Sequence, residues 1–130
     1  MILDFQRMIM KNRRERDKIE NPTRGRALNE LGVPSVKLNL RAGADTGMAD
    51  TLYFIPGGRP LLHEYKWGTV APEPKQVYTH MWLKKLGYDV QVHNSVESAF
   101  ESIRQAVAAQ TVHEEGRQVA VGTRRRRSIS

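Results

Sequence analysis

The sequence predicts one α/β domain in which a central mixed four-stranded sheet is flanked by helices. Three observations predict this fold class. The chain has 130 residues, which is enough for a single hydrophobic core. Apolar residues recur at helical spacing in some segments and alternate with polar residues in others. These segments follow the order helix, three strands, helix, strand, helix (αβββαβα), which favours a sheet covered by helices.

The first half of the chain contains the first helical region and the predicted hairpin. An amphipathic pattern predicts a helix over 4–19, and the proline at position 22 breaks or restarts it. A short helix is predicted over 24–31 and is expected to end at Gly32. Alternating residues predict strands over 36–41, 49–55 and 60–66, and Pro56-Gly57-Gly58 predicts a turn between the last two strands.

The second half of the predicted domain adds two helices and one strand. A helix is predicted over 75–86, and its inward apolar residues are expected to be Val77, Met81 and Leu86. Alternation of apolar residues then predicts a strand over 88–92, and Ser95 is expected to cap the last helix. We therefore expect a single domain over 1–115, followed by a basic, disordered tail over 116–130.

Positive charge is concentrated near the two ends of the chain. The formal net charge is +7, but residues 1–116 carry 16 basic and 14 acidic groups, a net of +2. Lys11 to Lys18 holds five of those basic residues, and the tail holds five arginines. This placement suits a phosphate backbone, although a solvated tail without function explains it equally well.

Several classes of protein are excluded or disfavoured by the composition. The chain has no cysteine, which excludes disulfides and thiolate chemistry. Its apolar runs are too short to span a bilayer, and its beginning does not resemble a secretory signal. We therefore expect no membrane association and a cytoplasmic location, which would be the host cytoplasm for a phage-encoded protein.

The glycine turn predicts which residues of the hairpin face one another. If 56–58 form the loop, the residue numbers of facing pairs add up to 114, as do those of Asp50 and Glu64. These two residues would then lie directly opposite, with Cβ atoms roughly 4.5–5.5 Å apart. A two-residue loop would make them near neighbours instead. Lys66 shares the sheet face of Glu64 because side chains alternate along a strand.

Two facing carboxylates and a lysine are suited to phosphodiester hydrolysis. Such carboxylates share a proton or bind a cation, and Mg²⁺ prefers one or two carboxylates together with water. A neighbouring lysine can orient the attacking water or stabilise charge on the phosphate. The alternative is an exposed hairpin with a Glu–Lys pair and an unrelated aspartate, since Glu-x-Lys alone is common.

Four motifs in order resemble the VRR-NUC family of the PD-(D/E)xK nuclease superfamily over about residues 36–103. They are Gly47-Met48-Ala49-Asp50, Pro56-Gly57-Gly58-Arg59, His63-Glu64-Tyr65-Lys66, and Gln76 followed by Leu83, Leu86 and Gly87-Tyr88. The resemblance implies a restriction-endonuclease-like PD-(D/E)xK core and DNA cleavage that depends on Mg²⁺ or Mn²⁺. Stand-alone members, often from phages, resemble homodimeric resolvases of Holliday junctions.

The resemblance also implies a role for each residue of the site. Asp50, Glu64 and the backbone carbonyl of Tyr65 would bind the metal, Lys66 would assist the water, and Gln76 would brace the site from its helix. Family members carry a further acid on the first helical region, for which the candidates are Glu20 and, less favoured, Glu30. The chain departs from the family pattern at Ala49, where proline is usual, and at Thr51, which is more polar than the usual residue. Neither change removes a ligand.

Candidate DNA contacts surround this predicted site. Arg41 and Lys75 could hold phosphates and Trp67 could stack on a base, although solvated charge and packing are the alternatives. His80, four residues after Gln76, either lines the cleft or lies on the helix surface, and His63 should point to the other sheet face.

The sequence therefore predicts a metal-dependent endodeoxyribonuclease that acts as a homodimer on branched DNA such as Holliday junctions. Two alternatives stay open. One is a non-enzymatic DNA-binding accessory protein with a nuclease-like fold. The other is a nicking nuclease without preference for junctions.

Overall fold

The computed structural model describes residues 6, 10, 13–38 and 47–110. Helix α1 has a π-helical part, Glu15–Glu20, and an α-helical part, Asn21–Leu31. The remaining elements are β1 (Ser35–Lys37), β2 (Thr51–Ile55), β3 (Arg59–Tyr65), α2 (Pro74–Lys85), β4 (Asp89–His93) and α3 (96–110). Three predicted segments lie wholly or partly outside the described residues. They are much of the helix over 4–19, the part of the strand beyond residue 38, which includes Arg41, and the tail over 116–130.

The four strands form one mixed sheet in the order β1-β2-β3-β4. β1 pairs with β2 and β2 with β3 in antiparallel orientation, whereas β3 and β4 are parallel. The connection between β3 and β4 contains α2, as a parallel pair requires a crossover. The prediction of an α/β fold with a mixed four-stranded sheet flanked by helices is confirmed.

The register of the central hairpin also agrees with the prediction. Its paired residues run from Thr51 opposite His63 to Ile55 opposite Arg59, so the numbers of every pair add up to 114. Gly57 and Gly58 have φ angles of 91° and 76°, which L side chains rarely adopt. The three-residue loop over 56–58 is therefore the correct alternative, and the ladder ends one residue short of Asp50.

Each face of the sheet has its own apolar cluster. On one face, β2 and β3 contribute Tyr53, Ile55, Leu61 and Tyr65, which pack with residues of α1 and α3 that include Ile19, Ala27, Ala99 and Ile103. On the other face, Ala49, Leu62 and Val90 are buried beneath Leu83 of α2. The second cluster is small, so polar side chains occupy much of the space between this face and α2.

Helix α2 is rotated relative to the prediction. Its inward residues are Gln76, Thr79, His80 and Leu83, which are spaced as i, i+3, i+4 and i+7. The predicted inward residues Val77, Met81 and Leu86 are exposed, so that prediction was wrong. The physical reason is that this helix covers a polar part of the sheet, and its apolar residues are therefore on the outer side.

Helix α1 continues through Pro22 because its hydrogen-bond register changes just before that residue. The amide of Asn21 donates to the carbonyl of Arg16, five residues earlier, as in a π-helix. The α-helix restarts from there with proline in its first turn, where its missing amide costs little. Gly32 ends the helix in a left-handed conformation, as predicted, and its amide donates to the carbonyl of Leu28.

Gly47 brings the backbone before β2 against α2. A Cβ atom at this position would lie 2.6 Å from both the carbonyl oxygen of Lys75 and Oγ1 of Thr79, and the φ angle of 71° also favours glycine. This close approach fixes the start of the segment 47–50 against the inner side of α2. Among the described residues, no helix is both long enough and apolar enough to span a membrane.

Candidate active site

The carboxyl end of β3 carries the Glu-x-Lys pair on the face beneath α2. Glu64 is only 1% exposed, and Lys66 is also buried. The Lys66 Nζ atom lies 4.0 Å from Oε2 of Glu64. His63 and Tyr65 point to the opposite face, where Nδ1 of His63 and the Tyr65 hydroxyl are hydrogen-bonded. Strand alternation therefore separates the polar site from the main core, as expected for His63.

Asp50 is held at the same place by two backbone hydrogen bonds. Its amide donates to the carbonyl of His63 over 2.9 Å, one position off the register of the ladder, in which Asp50 would pair with Glu64. The amide of Tyr65 donates to Oδ2 of Asp50 over 2.8 Å. The charge of Asp50 also acts on the carboxyl group of Glu64. The two acids predicted to face one another therefore lie on neighbouring strands at the same end of the hairpin.

Gln76 connects α2 to Glu64 through the helix cap. Its Oε1 accepts a hydrogen bond from the amide of Glu73, as part of a capping box at the start of α2. Its Nε2 consequently points to the sheet and donates to both carboxyl oxygens of Glu64, over 3.0 and 3.1 Å. The cap therefore determines which end of the Gln76 amide meets the acid.

The surroundings of Glu64 favour its protonated form when no cation is bound. Burial raises the pKa of this carboxyl to about 9, and the charge of Asp50 and its hydrogen bond contribute in the same direction. Lys66 opposes the shift, whereas Glu15 adds to it. A divalent cation would reverse this balance by favouring both carboxylates, which is the electrostatic behaviour of an acid pair suited to metal binding.

Glu15 of α1 is a further acid beside the Glu-x-Lys pair that was not predicted from the sequence. Its Oε1 accepts a hydrogen bond from the amide of Trp67, just after β3, over 3.3 Å. Helical periodicity alone does not reveal this residue because the π-helical segment changes the phase of α1.

The acids predicted from the first helical region have other partners. The carboxylate of Glu20 accepts a hydrogen bond from the Thr51 hydroxyl and lies 3.5 Å from the Lys37 ammonium group. Thr51 shares the face of Tyr53, so Glu20 lies on the side of the sheet opposite Glu64. Glu30 is paired with Arg26 on the surface. The structure therefore does not bring Glu20 together with Asp50 and Glu64, and that prediction was wrong.

His80 lies on the inner side of α2, one turn after Gln76. It is 6% exposed, so it lines the space above the sheet rather than the helix surface. Burial lowers its pKa, as do the charges of Lys84 and Lys66, whereas Asp50 acts in the opposite direction. The burial of His80 and the effect of Asp50 and Lys66 on its pKa favour the hypothesis that His80 lines the cleft.

The structure describes two of the three predicted DNA contacts, Trp67 and Lys75. Trp67 is partly exposed beside the site, and the Arg14 guanidinium lies 5.9 Å from the centre of its ring. Lys75 is exposed in the first turn of α2, next to Gly47. Arg41 lies outside the described residues.

The donors available for a divalent ion are oxygen atoms. Among the described residues, no three histidine, cysteine, aspartate or glutamate side chains are grouped closely enough to hold a metal. The candidate site instead offers the carboxylates of Asp50 and Glu64, which the Tyr65 amide and the Gln76 amide hold in place. This set fits Mg²⁺ or Mn²⁺, since Mg²⁺ is commonly bound through one or two carboxylates and retains several waters.

Comparison with known proteins does not identify a family for the chain. No model of a known protein family matches it, and no curated protein or solved structure matches it either.

Proposed function

We propose that this protein is a divalent-metal-dependent endonuclease that hydrolyses phosphodiester bonds in DNA. The observation that carries the proposal is the buried Glu-x-Lys pair, in which the Lys66 ammonium group lies 4.0 Å from Glu64, beside Asp50, whose carboxylate accepts a hydrogen bond from the Tyr65 amide. A buried acid beside a second carboxylate destabilises the protein unless the two share a proton or bind a cation. A cation held there would lie next to a lysine, which is the arrangement that phosphate hydrolysis requires.

In the proposed mechanism, Asp50, Glu64 and the Tyr65 carbonyl hold Mg²⁺ or Mn²⁺. When bound, the ion supplies Lewis-acid activation of the phosphate and makes a coordinated water more acidic. Lys66 orients the attacking water or stabilises the charge that develops on the phosphate. Gln76 keeps the carboxylate of Glu64 in one orientation through its two hydrogen bonds.

The element order and the site together support a PD-(D/E)xK core related to the VRR-NUC family. The order αβββαβα places the acid, the Glu-x-Lys strand and the glutamine-bearing helix in one polar layer. Under this proposal Glu15, which accepts a hydrogen bond from the amide of Trp67, adds negative charge beside the acids and is not itself a metal ligand. Ala49 stands where the family usually has proline, and this change removes no metal-binding group. Its side chain packs in the apolar cluster beside Leu62.

The proposed substrate is branched DNA such as a Holliday junction. Trp67 and Arg14 form an aromatic and cationic surface next to the acids. An aromatic ring of this kind can stack on a base that branching has unpaired, while arginine contacts the backbone. This surface favours branched over continuous duplex DNA.

A cleavage assay tests the proposal directly. A labelled four-way junction and a linear duplex of the same sequence are incubated separately with the protein and Mg²⁺ or Mn²⁺, and EDTA serves as the control. We expect metal-dependent cleavage, with the junction cut faster. Equal cleavage of both substrates would indicate a nicking nuclease without junction preference. Metal-independent binding without cleavage would indicate an accessory DNA-binding protein.

The outer side of α2 supports the proposed homodimer. Five large apolar side chains are exposed on this side: Val77, Tyr78, Met81, Trp82 and Leu86. The largest of them, Tyr78 and Trp82, are 74% and 60% exposed. Together they expose roughly 600 Å², close to the ~800 Å² that each partner of a standard interface buries. A second copy can present the same surface across a two-fold axis. Two copies would place two sites on one junction.

Substitution of Trp82 by glutamate is expected to convert the dimer to a monomer. The charge would be buried without a partner at the centre of the proposed interface, which is strongly unfavourable. Light scattering coupled to size-exclusion chromatography measures the mass. Leu28→Glu is the matched control, because Leu28 is also an exposed apolar helical residue but belongs to α1. A parent protein of monomeric mass, or a dimeric Trp82→Glu variant, would contradict this interface.

A further inference from the structure

The imidazole of His80 is buried with a ring nitrogen that lacks a partner. Its Nε2 has no hydrogen-bond partner among the residues that the structure describes, and less than one tenth of the residue is exposed. A buried polar group in this state destabilises a protein, whereas an apolar side chain of similar size would not. Leu83, the next inward residue of α2, is apolar, so the helix does accept such side chains on this side.

The position of His80 relates this nitrogen to the acid pair. His80 follows Gln76 by one helical turn on the inner side of α2, and Gln76 donates directly to Glu64. Thr79, its neighbour on the inner side of α2, closely approaches Gly47, which begins the segment that leads to Asp50. Among the inward residues of α2, Gln76 is therefore bonded to an acid, whereas Nε2 of His80 has no partner.

A direct bond from His80 to the ion that Asp50 and Glu64 would bind is not supported. Such a bond would make a group of three metal-binding side chains, and no such group exists in the described part of the chain. Mg²⁺ retains several of its waters in protein sites, and protein groups beyond the direct ligands hold them. A water on the ion is thus a partner that fits the burial of the ring and the absence of a direct bond.

We propose that Nε2 of His80 hydrogen-bonds a water molecule in the hydration shell of the divalent ion bound by Asp50 and Glu64. His80 is then a positioning residue, which acts on the ion through that water. The inference rests on the proposed metal-dependent function. It adds a second residue of α2 to the site, with a role that differs from the direct contact between Gln76 and Glu64.

The test compares an apolar and a polar replacement of His80 in the full chain without DNA. His80→Leu removes the nitrogen and keeps much of the volume, whereas His80→Gln keeps a polar group. Binding of Mn²⁺ is measured by electron paramagnetic resonance, and stability is measured by thermal unfolding in EDTA. His93→Leu is the control, since His93 is a partly buried histidine on the other side of the sheet that bonds Gln91 and Ser98.

We expect His80→Leu to weaken Mn²⁺ binding about tenfold, as loss of an outer partner of a metal ligand does. Its melting temperature in EDTA should equal or exceed that of the parent, because an unpaired polar atom has been removed. His80→Gln should recover part of the affinity, and His93→Leu should bind as the parent does. If His80→Leu does not fold, His80→Met replaces it with the same expectation.

Two results would overturn the inference. One is parental Mn²⁺ affinity in the apolar variant, and the other is an equal loss of affinity in the apolar and glutamine variants, which would indicate a role in packing. A parent that binds Mn²⁺ but does not cleave DNA would refute the nuclease proposal and leave the role of His80 intact. A parent that does not bind Mn²⁺ would refute both.

Discussion

Replacement of Lys66 by methionine is expected to slow DNA cleavage about 10²- to 10³-fold while Mn²⁺ binding is retained. Methionine preserves the length and apolar part of the side chain but removes the ammonium group 4.0 Å from Glu64. Loss of one preorganised electrostatic group commonly reduces the rate by such a factor. Because Lys66 is not among the proposed ligands, metal binding should persist. The rate is measured on a labelled junction at saturating Mg²⁺.

The control for this variant is Lys85→Met, which removes an equal charge from the exposed side of α2. It should retain the parental rate within a small factor, apart from weaker binding at high salt. Glu64→Ala should lose both cleavage and Mn²⁺ binding. Parental cleavage by Lys66→Met and Glu64→Ala would show that the site lies elsewhere or that another nuclease contaminates the sample.

Replacement of Glu64 by glutamine is expected to stabilise the metal-free protein increasingly as the pH rises. The carboxyl has a pKa of about 9 in the folded protein and of about 4.3 in an unfolded chain. Its folded form therefore binds a proton that the unfolded chain has released, and this contribution is present at low pH and lost as the pH approaches 9. Glutamine offers one acceptor oxygen and a donor, as the protonated carboxyl does, but it does not titrate.

Urea unfolding in EDTA at several pH values between 5 and 9 measures this effect. The free energy of unfolding of the parent should fall relative to that of Glu64→Gln by up to about 1.4 kcal/mol per pH unit. Mn²⁺ should stabilise the parent at high pH and have little effect on the variant. Glu97→Gln on α3 is the control, because Glu97 is exposed. A constant difference between parent and Glu64→Gln across this range would contradict the proposed burial of the carboxyl.

The hairpin was predictable because its turn and its alternation are local features. Two glycines that require positive φ angles determine the loop, and the loop determines every pair along the strands. That register also predicts that Asp50 and Glu64 are near neighbours, although the Asp50 amide bonds His63, one position off it. The side-chain direction of Lys66 follows from strand alternation in the same way, so most of the site could be located without a structure.

The helices were less predictable because their phase depends on what they cover. In α2 the outward residues are apolar and the inward Gln76 and His80 are polar, so the apolar periodicity indicated the wrong side. In α1 the π-helical hydrogen bonds shift the phase between Glu15 and Glu20, and no local signal in the sequence specifies such a shift. Both errors arose where the chain places polar groups around the acid pair, which is where local patterns and function conflict.

The π-helical part of α1 limits how the length of this helix can vary. In a regular α-helix, side chains five positions apart point about 140° away from each other. Bonds to the fifth preceding residue reduce that divergence, so one helix can direct Glu15 to the amide after β3 and Glu20 to Thr51. Deletion of a single residue between the two acids would regularise the helix and leave them four positions apart, about 40° from each other, so both could keep their partners. Deletion of two residues would place them three positions apart and turn one of them away, so this stretch tolerates a change in length of one residue but not of two.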